Sequence, residues 1–353
     1  MKQKVFVAMS GGVDSSVAAA LLKEKDYEVI GVTMCFNLDI LKRKRPICCD
    51  RQAIEDARKV AYKLGIRHYV LDFSKVLREK IIKKFSNEYL CARTPNPCID
   101  CNRYIKFGAL LEKVFKIGAD FLATGHYARI EKSHCGLYYL KKAKDLTKDQ
   151  SYFLYYLTQE KLKRIIFPLG DLLKSEVREI ARKLNLPIKD KPASQDICFL
   201  PTDNYREFLS LHFKDKIKAG EIVDKEGKVL GKHKGLCFYT LGQREGLGLG
   251  GGPFYVIKLD KKTNRIVVGK REDTYTGKFF IKKPHFIAEP IKNKVVLEVK
   301  IRYNHKETPA EVIPKDDYLE VRFFKPQSAV TPGQSAVFYK DDLVLGGGVI
   351  ETE

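Results

Sequence analysis

Nowhere in its 353 residues does the chain hold an uninterrupted apolar run of the roughly 18 residues a membrane-spanning helix requires. No segment therefore reads as membrane-spanning. The opening stretch MKQKVFVAMSGG has two lysines and about five consecutive apolar residues, and it meets glycines rather than a small-residue cleavage site. It reads as a first β-strand, without a secretory leader. Acidic residues are in deficit: 44 Asp and Glu face 65 Lys and Arg, for a formal net charge of +21. Such a field favours a polyanionic partner, nucleic acid above all; surface lysines kept for solubility and ion pairing are the plain alternative. Cysteine is not scarce, but nine is an odd number. In a chain read as cytoplasmic that argues for thiols, catalytic groups or metal ligands rather than a disulfide framework. Solenoid repeats and low-complexity tracts are absent as well.

What is present is the composition of a folded, water-soluble protein, 44% hydrophobic and 31% charged, and at this length two or three domains are expected. Up to about Pro201 short apolar runs alternate with amphipathic segments: KVFVAM, YEVIGVTM, RHYVLDF and ADFLATGHYA as strands, SSVAAALLKEK, IEDARKVAYKLG and FGALLEKVFKIG as helices. Phe107, Leu110, Leu111, Val114 and Phe115 repeat at helical spacing, and Gly65 stops the second helix. This pattern predicts an α/β domain with a parallel sheet, whose ligands bind at the carboxyl ends of its strands. KSEVREIARKLNLP follows as a helix ended by Pro187. Beyond about residue 215 nearly every segment is a short strand bounded by turn residues, which predicts two small β-rich, barrel-like modules. The expected division is 1–205, 206–280 and 281–353, with the last boundary a soft one between 275 and 285.

The strongest local signal is SGGVDSS, Ser10 to Ser16, between a buried strand and a helix. Glycines there let backbone N–H groups close around phosphate, and the helix N-terminus adds positive potential. It is neither a Walker loop nor a G-x-G-x-x-G fingerprint. A second signal, TPNPCIDCN, carries Cys98 and Cys101 as a Cys-x-x-Cys pair that could be half a zinc site, a redox couple or a nucleophile with a neighbour. Zinc wants four ligands, and no second Cys-x-x-Cys or His-x-x-x-His completes the set.

SGGVDSS resembles the pyrophosphatase loop of the N-type ATP pyrophosphatases. The resemblance extends through CCDRQAIEDARKVAYKLGI, TPNPCIDCNRYIKFG, ATGHYA, KDQSYFLYYL, FPLGDLLKSEVREIA, SQDICF, YTLGQREGLGLGGG, KIRYNH and TPGQSAVFY, from near residue 5 to near 350. In that order and spacing they are similar to the tRNA-specific 2-thiouridylase family. The resemblance implies an adenine-nucleotide α-hydrolase-like (PP-loop) domain. It also implies adenylation of C2–O2 of a wobble uridine by ATP with Mg2+, then replacement of that oxygen by sulfur from a protein persulfide.

Carried onto this sequence, the resemblance implies that Ala8, Met9, Ser10, Gly11, Gly12, Val13, Asp14 and Ser15 hold ATP, with Met34 and Gly125 contacting the nucleotide. Cys198 would take sulfur as a persulfide from a sulfur-carrier protein. Cys101 would be the nucleophile that resolves it, freeing sulfide or leaving a Cys101–Cys198 disulfide. The chemistry needs a thiolate, so a lowered cysteine pKa beside basic groups is expected. Asn96, Pro97, Cys98 and His126 would surround the base; Lys148, Asp149 and Gln150 would approach the anticodon region; Arg302, Tyr303 and Gln334 would contact tRNA from the β modules. Cys35, Cys91, Cys135 and Cys237 read as ordinary thiols, and Cys48 and Cys49 as structural or surface residues.

Three alternatives remain. The loop could serve a ligase of the same superfamily, the chain could be a non-catalytic RNA-binding protein, or Cys98, Cys101 and Cys198 could hold an iron–sulfur cluster, since thiolates suit iron. Some relatives carry aspartate where Cys98 stands, which leaves the proton carrier open. The ARTPNPC segment, with two prolines and no strand or helix period, is expected to be mobile.

Overall fold

The computed structural model describes residues 2–36, 51–192, 197–200 and 204–352. Cys48 and Cys49 lie outside the described residues.

Strands Lys4–Ala8, Glu28–Cys35, Arg67–Asp72, Phe121–Thr124 and Ile165–Ile166 form one parallel sheet. The first strand lies between the second and the fourth, so the sheet grows one way from it and then the other. The crevice beyond the carboxyl ends of the first and fourth strands is thus the topological switch point, the standard ligand position in such sheets. Alternation of side chains makes the first strand apolar on both faces. Val5 and Val7 pack with Val17 and Leu22 of helix Val13–Glu24, while Phe6 packs with Leu77, Phe107 and Leu110 on the other side. Helix Arg51–Leu64 ends at Gly65, whose φ of +61° lets the chain turn back.

Two long helical runs cover the Phe6 face. One spans Ser74–Val76, Leu77–Ile82 and Lys83–Leu90; the other spans Pro97–Asp100, Cys101–Leu110 and Leu111–Lys116. Both widen to π-type turns in the middle. A Cβ at Gly108 would lie 2.9 Å from the carbonyl oxygen of Arg103, five residues back, so a glycine there permits the wide turn.

The strand–helix alternation expected through Pro201 is broken once. Strands Arg129–Lys132 and Tyr138–Lys141 make an antiparallel hairpin that leaves the parallel sheet and pairs with strand Leu343–Glu351. That strand belongs to a six-stranded barrel of Tyr275–Lys282, Tyr318–Ser328, Thr308–Pro314, Val295–Lys300, Ser335–Lys340 and Leu343–Glu351. The barrel is closed by Phe280 against Glu351 and Ile281 against Ile350, and closure leaves no edge within that ring. Strand Tyr275–Lys282 straddles the boundary placed at residue 280, because its partners are distant in the chain and nothing local marks it. Between these parts lies a four-stranded sheet ordered Tyr255–Asp260, Arg265–Gly269, Gly220–Val223, Val229–His233.

The barrel packs directly on the first domain. Tyr152 Oη donates to Ser335 O at 2.9 Å, Tyr155 Oη lies 3.0 Å from Ser335 Oγ, and Ser151 Oγ lies 3.2 Å from Tyr339 Oη, all buried. The segment expected to be mobile is held by the same seam. Thr94 N–H donates to Pro332 O at 2.9 Å, Gln334 Nε2 donates to Thr94 O at 2.9 Å, and Thr94 Oγ1 lies 3.1 Å from Thr240 Oγ1. Arg93 makes a two-pronged pair with Glu351 at 2.6 and 2.7 Å and a further bond to Glu88 at 2.6 Å. The lack of local periodicity reflects bonds made to distant strands rather than freedom.

Replacing Arg93 by alanine strips both half-buried carboxylates of their cation. It is expected to cost about 2 kcal/mol in urea unfolding and to open the 93–97 segment to a protease. An unchanged midpoint and cleavage rate would show that the pair does not hold this segment.

Candidate functional site

The phosphate loop begins where the first strand ends. Met9 N–H donates to Val32 O at 2.8 Å and Met9 O accepts from Thr33 Oγ1 at 2.7 Å, so Met9 is a buried anchor and not an exposed contact. Gly11 has φ of +71°, and a Cβ on it would sit 2.2 Å from Ala53 O; both conformation and space demand glycine. Gly12 precedes helix Val13–Glu24 with no side-chain cap, and the first intrahelical bond is Ser16 N–H to Gly12 O at 3.3 Å. The earlier N–H groups are therefore free of intrahelical partners and concentrate positive potential where a phosphate would sit. Ser10 is exposed at the rim, its N–H donating to Ser15 Oγ at 3.2 Å. Ala8 and Met34 are half-buried at the ends of their strands.

Two lysines that the sequence reading passed over flank this loop. Lys174 and Tyr127 both bond Asp14 Oδ1, the tyrosine at 2.9 Å. Lys191 bonds Gly11 O at 3.2 Å and Asp56 at 2.8 Å. Burial acts against the Asp56 carboxylate, yet the bonds from Lys191 and Gln52 hold it below its ordinary range. Tyr127 is pushed well above the usual phenol range by burial and by Asp14. The signals available were the quoted motifs themselves: Tyr127 stands in ATGHYA and Lys174 in FPLGDLLKSEVREIA. What no periodicity could show was that both reach Asp14.

The cysteine centre lies next to this loop, and a dipeptide joins the two. A Cβ on Gly125 would lie 2.7 Å from Ser15 N and 2.8 Å from Asp14 C, so the backbone at Gly125 rests directly on the loop. The next residue, His126, is buried; its Nδ1 lies 2.7 Å from Thr124 Oγ1 and its Nε2 lies 3.4 Å from Lys106 Nζ. Lysine can only donate, so Nε2 is the acceptor and the proton sits on Nδ1. Burial, then Lys106, hold His126 well below the ordinary imidazole range, hence neutral.

Asn96 caps the cysteine-bearing helix, its Oδ1 accepting from Cys98 N at 3.2 Å and Ile99 N at 3.4 Å, and Pro97 sits in the first turn. Cys101 is buried at 8% exposure, whereas Cys98 and Cys198 are exposed residues. Phe199, wedged 5.2 Å from Phe85 and 6.2 Å from Phe208, sets the turn that carries Cys198. Cys198 thereby comes close enough to Cys98 and Cys101 for their charges to interact, with Lys106 acting on all three. The expectation of lowered thiol pKa values is overturned. Burial pushes the Cys101 thiol up to about 12; Cys98 and Cys198, exposed as whole residues, still have enough protein packed around their sulfurs for desolvation to raise them more than Lys106 lowers them. Asp100, two positions beyond Cys98, is buried and committed to Lys84 at 2.8 Å. Among the described residues no three His, Cys, Asp or Glu side chains converge to hold a metal. Cys98, Cys101 and Cys198 are not gathered as such a group.

Other expected contact residues have internal partners. Asp149 accepts from Ala143 N at 2.9 Å and Ser151 Oγ at 2.7 Å; Gln150 Oε1 accepts from Tyr127 N at 3.0 Å; Lys148 is exposed. Arg302 donates to Ser328 O at 3.1 Å, Tyr303 sets its ring centre 4.6 Å from that of Phe153 with the planes tilted by 37°, and Gln334 holds the Thr94 segment. Cys35, Cys91, Cys135 and Cys237 are free thiols. No helix among the described residues is long and apolar enough to cross a membrane.

Gly125→Ala would overpack the loop by about 1–3 kcal/mol, so ATP titration should give roughly tenfold weaker binding; unchanged affinity would separate this contact from the nucleotide site. The Cys101 thiol, protonated until far above neutrality, gains thiolate with every step in pH below its pKa. Its alkylation should rise roughly tenfold per pH unit between about pH 7 and about pH 9 without a plateau. A plateau there would show a far more acidic thiol.

Residues 3–202 match the family model described as tRNA methyl transferase HUP domain, residues 206–270 the tRNA methyl transferase PRC-barrel domain, and residues 276–350 the aminomethyltransferase beta-barrel domain. The chain is 47% identical over 356 residues to the tRNA-specific 2-thiouridylase MnmA of Clostridium acetobutylicum, covering 99% of this chain and 100% of that one. It is 49% identical over 358 residues to MnmA 1 of Caldanaerobacter subterraneus, covering 99% and 98%. With MnmA 1 of Syntrophus aciditrophicus it shares 49% identity over 352 residues, covering 99% and 93%. A phosphate loop and a cysteine centre joined through Gly125 and His126, in a chain alike to these proteins along its whole length, make it a member of the tRNA-specific 2-thiouridylase family.

Proposed function

We propose that the protein is an ATP-dependent tRNA-uridine 2-sulfurtransferase acting on the wobble uridine in the cytoplasm. The reading is supported chiefly by the approach of Cys198 to Cys101, distant in sequence yet near enough for their charges to interact, in a domain whose fourth strand end also supports the phosphate loop.

The loop N–H groups and the start of helix Val13–Glu24 bind the ATP phosphates, and Lys174 and Lys191 flank them with positive charge. Asp14 is the loop carboxylate that would hold Mg2+, which would offset the charge of the departing pyrophosphate. The uridine O2 attacks the α-phosphorus, pyrophosphate leaves, and C2 becomes activated by the adenylate. Cys198, exposed on its turn, is open to a sulfur-carrier protein and takes the persulfide. The Cys101 thiolate attacks the Cys198 sulfur of that persulfide and hydrosulfide departs; the new S–S bond joins Cys101 to Cys198 until an external thiol reduces it. Hydrosulfide then displaces AMP at C2.

Cys98 has no partner that equips it for a carboxylate's proton chemistry, so it lines the base pocket with Asn96 and Pro97. Lys148 is the residue of its trio open to RNA. Asp149, Gln150, Arg302, Tyr303 and Gln334 shape the surrounding surface through their internal bonds. The positive charge of the whole chain supports a tRNA partner.

Purified protein with ATP, Mg2+, a sulfur source and unmodified tRNA should release pyrophosphate only when tRNA is present, and nucleoside mass analysis should find 2-thiouridine. A mass gain of a methylene in place of an oxygen-to-sulfur exchange would mean methyl transfer, and no product with any candidate tRNA would remove the reading. In single turnover Cys101→Ala and Cys198→Ala should each lose roughly a hundredfold or more, and Cys98→Ala should retain activity; equal loss from all three would refute the asymmetry.

A further inference from the structure

Lys106 has no role in the mechanism above, yet it is the cation placed among the sulfurs. It is half-buried, and its hydrogen-bond partner among the described residues is the neutral ring of His126 at 3.4 Å; no described carboxylate pairs with it. A half-buried ammonium facing a neutral imidazole leaves its charge uncompensated, which suits it to receive an anion. The helix geometry directs it toward the cysteines. In an α-helix a residue five positions on is turned about 140° away. Cys101 and Lys106 are five apart within the π-type stretch Cys101–Leu110, where N–H groups bond the carbonyl five residues back and such residues return to one face. His126, fixed through Thr124 at 2.7 Å, limits where the ammonium can go.

We propose that Lys106, positioned by His126, is the charge-balancing residue of the sulfur centre: one cation shared by Cys98, Cys101 and Cys198, which stabilises anionic sulfur on one of them at a time. The inference rests on the thiolation reading. Around the thiols stand Asp100, paired with Lys84 of the neighbouring helix, the neutral His126 from the strand end, and the thiols themselves, which oppose one another's ionisation. Among the described residues Lys106 is the positive charge of that group with no carboxylate partner, so a second thiolate forms only after the first has been consumed or neutralised. This assigns His126 a task besides contact with the base: it sets the cation.

The test follows alkylation of each cysteine by iodoacetamide across a pH series, in the full-length protein without tRNA or ATP, read by peptide mass analysis. Lys106→Met should displace the log-rate line of Cys101, and those of Cys98 and Cys198, by about one unit toward higher pH, roughly a tenfold loss of rate at fixed pH. Lys106→Arg should restore most of it. His126→Gln, which keeps the charge but frees the ammonium, should give a smaller displacement in the same direction. Identical lines for wild type and Lys106→Met in folded protein overturn the proposal. Should Lys106→Met fail to fold, identical lines for wild type and His126→Gln do so. Failure of the thiolation reading is seen separately, as wild-type protein that alkylates as described but forms no 2-thiouridine.

Discussion

The dipeptide Gly125–His126 is the constraint on which the site depends. Its first residue has no side chain because the backbone of Ser15 and Asp14 occupies that space. Its second turns a ring into the protein and holds Lys106 beside the cysteines. One strand end thus spaces the phosphate loop from the sulfur centre, and neither can shift without pressing on the other. Interiors packed at crystal density transmit such displacements rather than absorb them. The sheet order explains why this strand does the work, since the fourth strand lies beside the first across the switch point.

The rest of the molecule supports that spacing from outside. Phe85, Phe199 and Phe208 form an aromatic cluster that places Cys198. The barrel grips Thr94 and Arg93 just ahead of the cysteine-bearing helix, so the start of that helix is set by residues near the far end of the chain. Gln334 and the buried tyrosines of the seam serve this docking. Burial of the thiols opposes easy ionisation, and the protein meets it with one half-buried cation rather than an open basic surface.

Most parallel strands and the first helices were legible because each shows its period within a dozen residues. Val5, Phe6 and Val7 announce a strand buried on both faces, and Gly65 announces a helix end. SGGVDSS was legible for the same reason: its chemistry is made by consecutive backbone groups. The hairpin Arg129–Lys141 was misplaced because strand pairing depends on a partner some two hundred positions away. The ARTPNPC segment was read as mobile because its order comes wholly from bonds to the β modules. The thiols were expected to be acidic because basic neighbours are visible in sequence and depth of burial is not.

By itself, then, the sequence determined most of the elements of the first domain, the glycine loop and the family, all of which rest on local geometry or on ordered motifs. Tertiary structure alone decided that Lys174 and Tyr127 meet on Asp14, that Asp100 is spent on Lys84, and that Lys106 meets the neutral ring of His126. Charge and proton affinity at a site depend on distance and on exclusion of water. Those are properties of the folded chain that no spacing along it encodes.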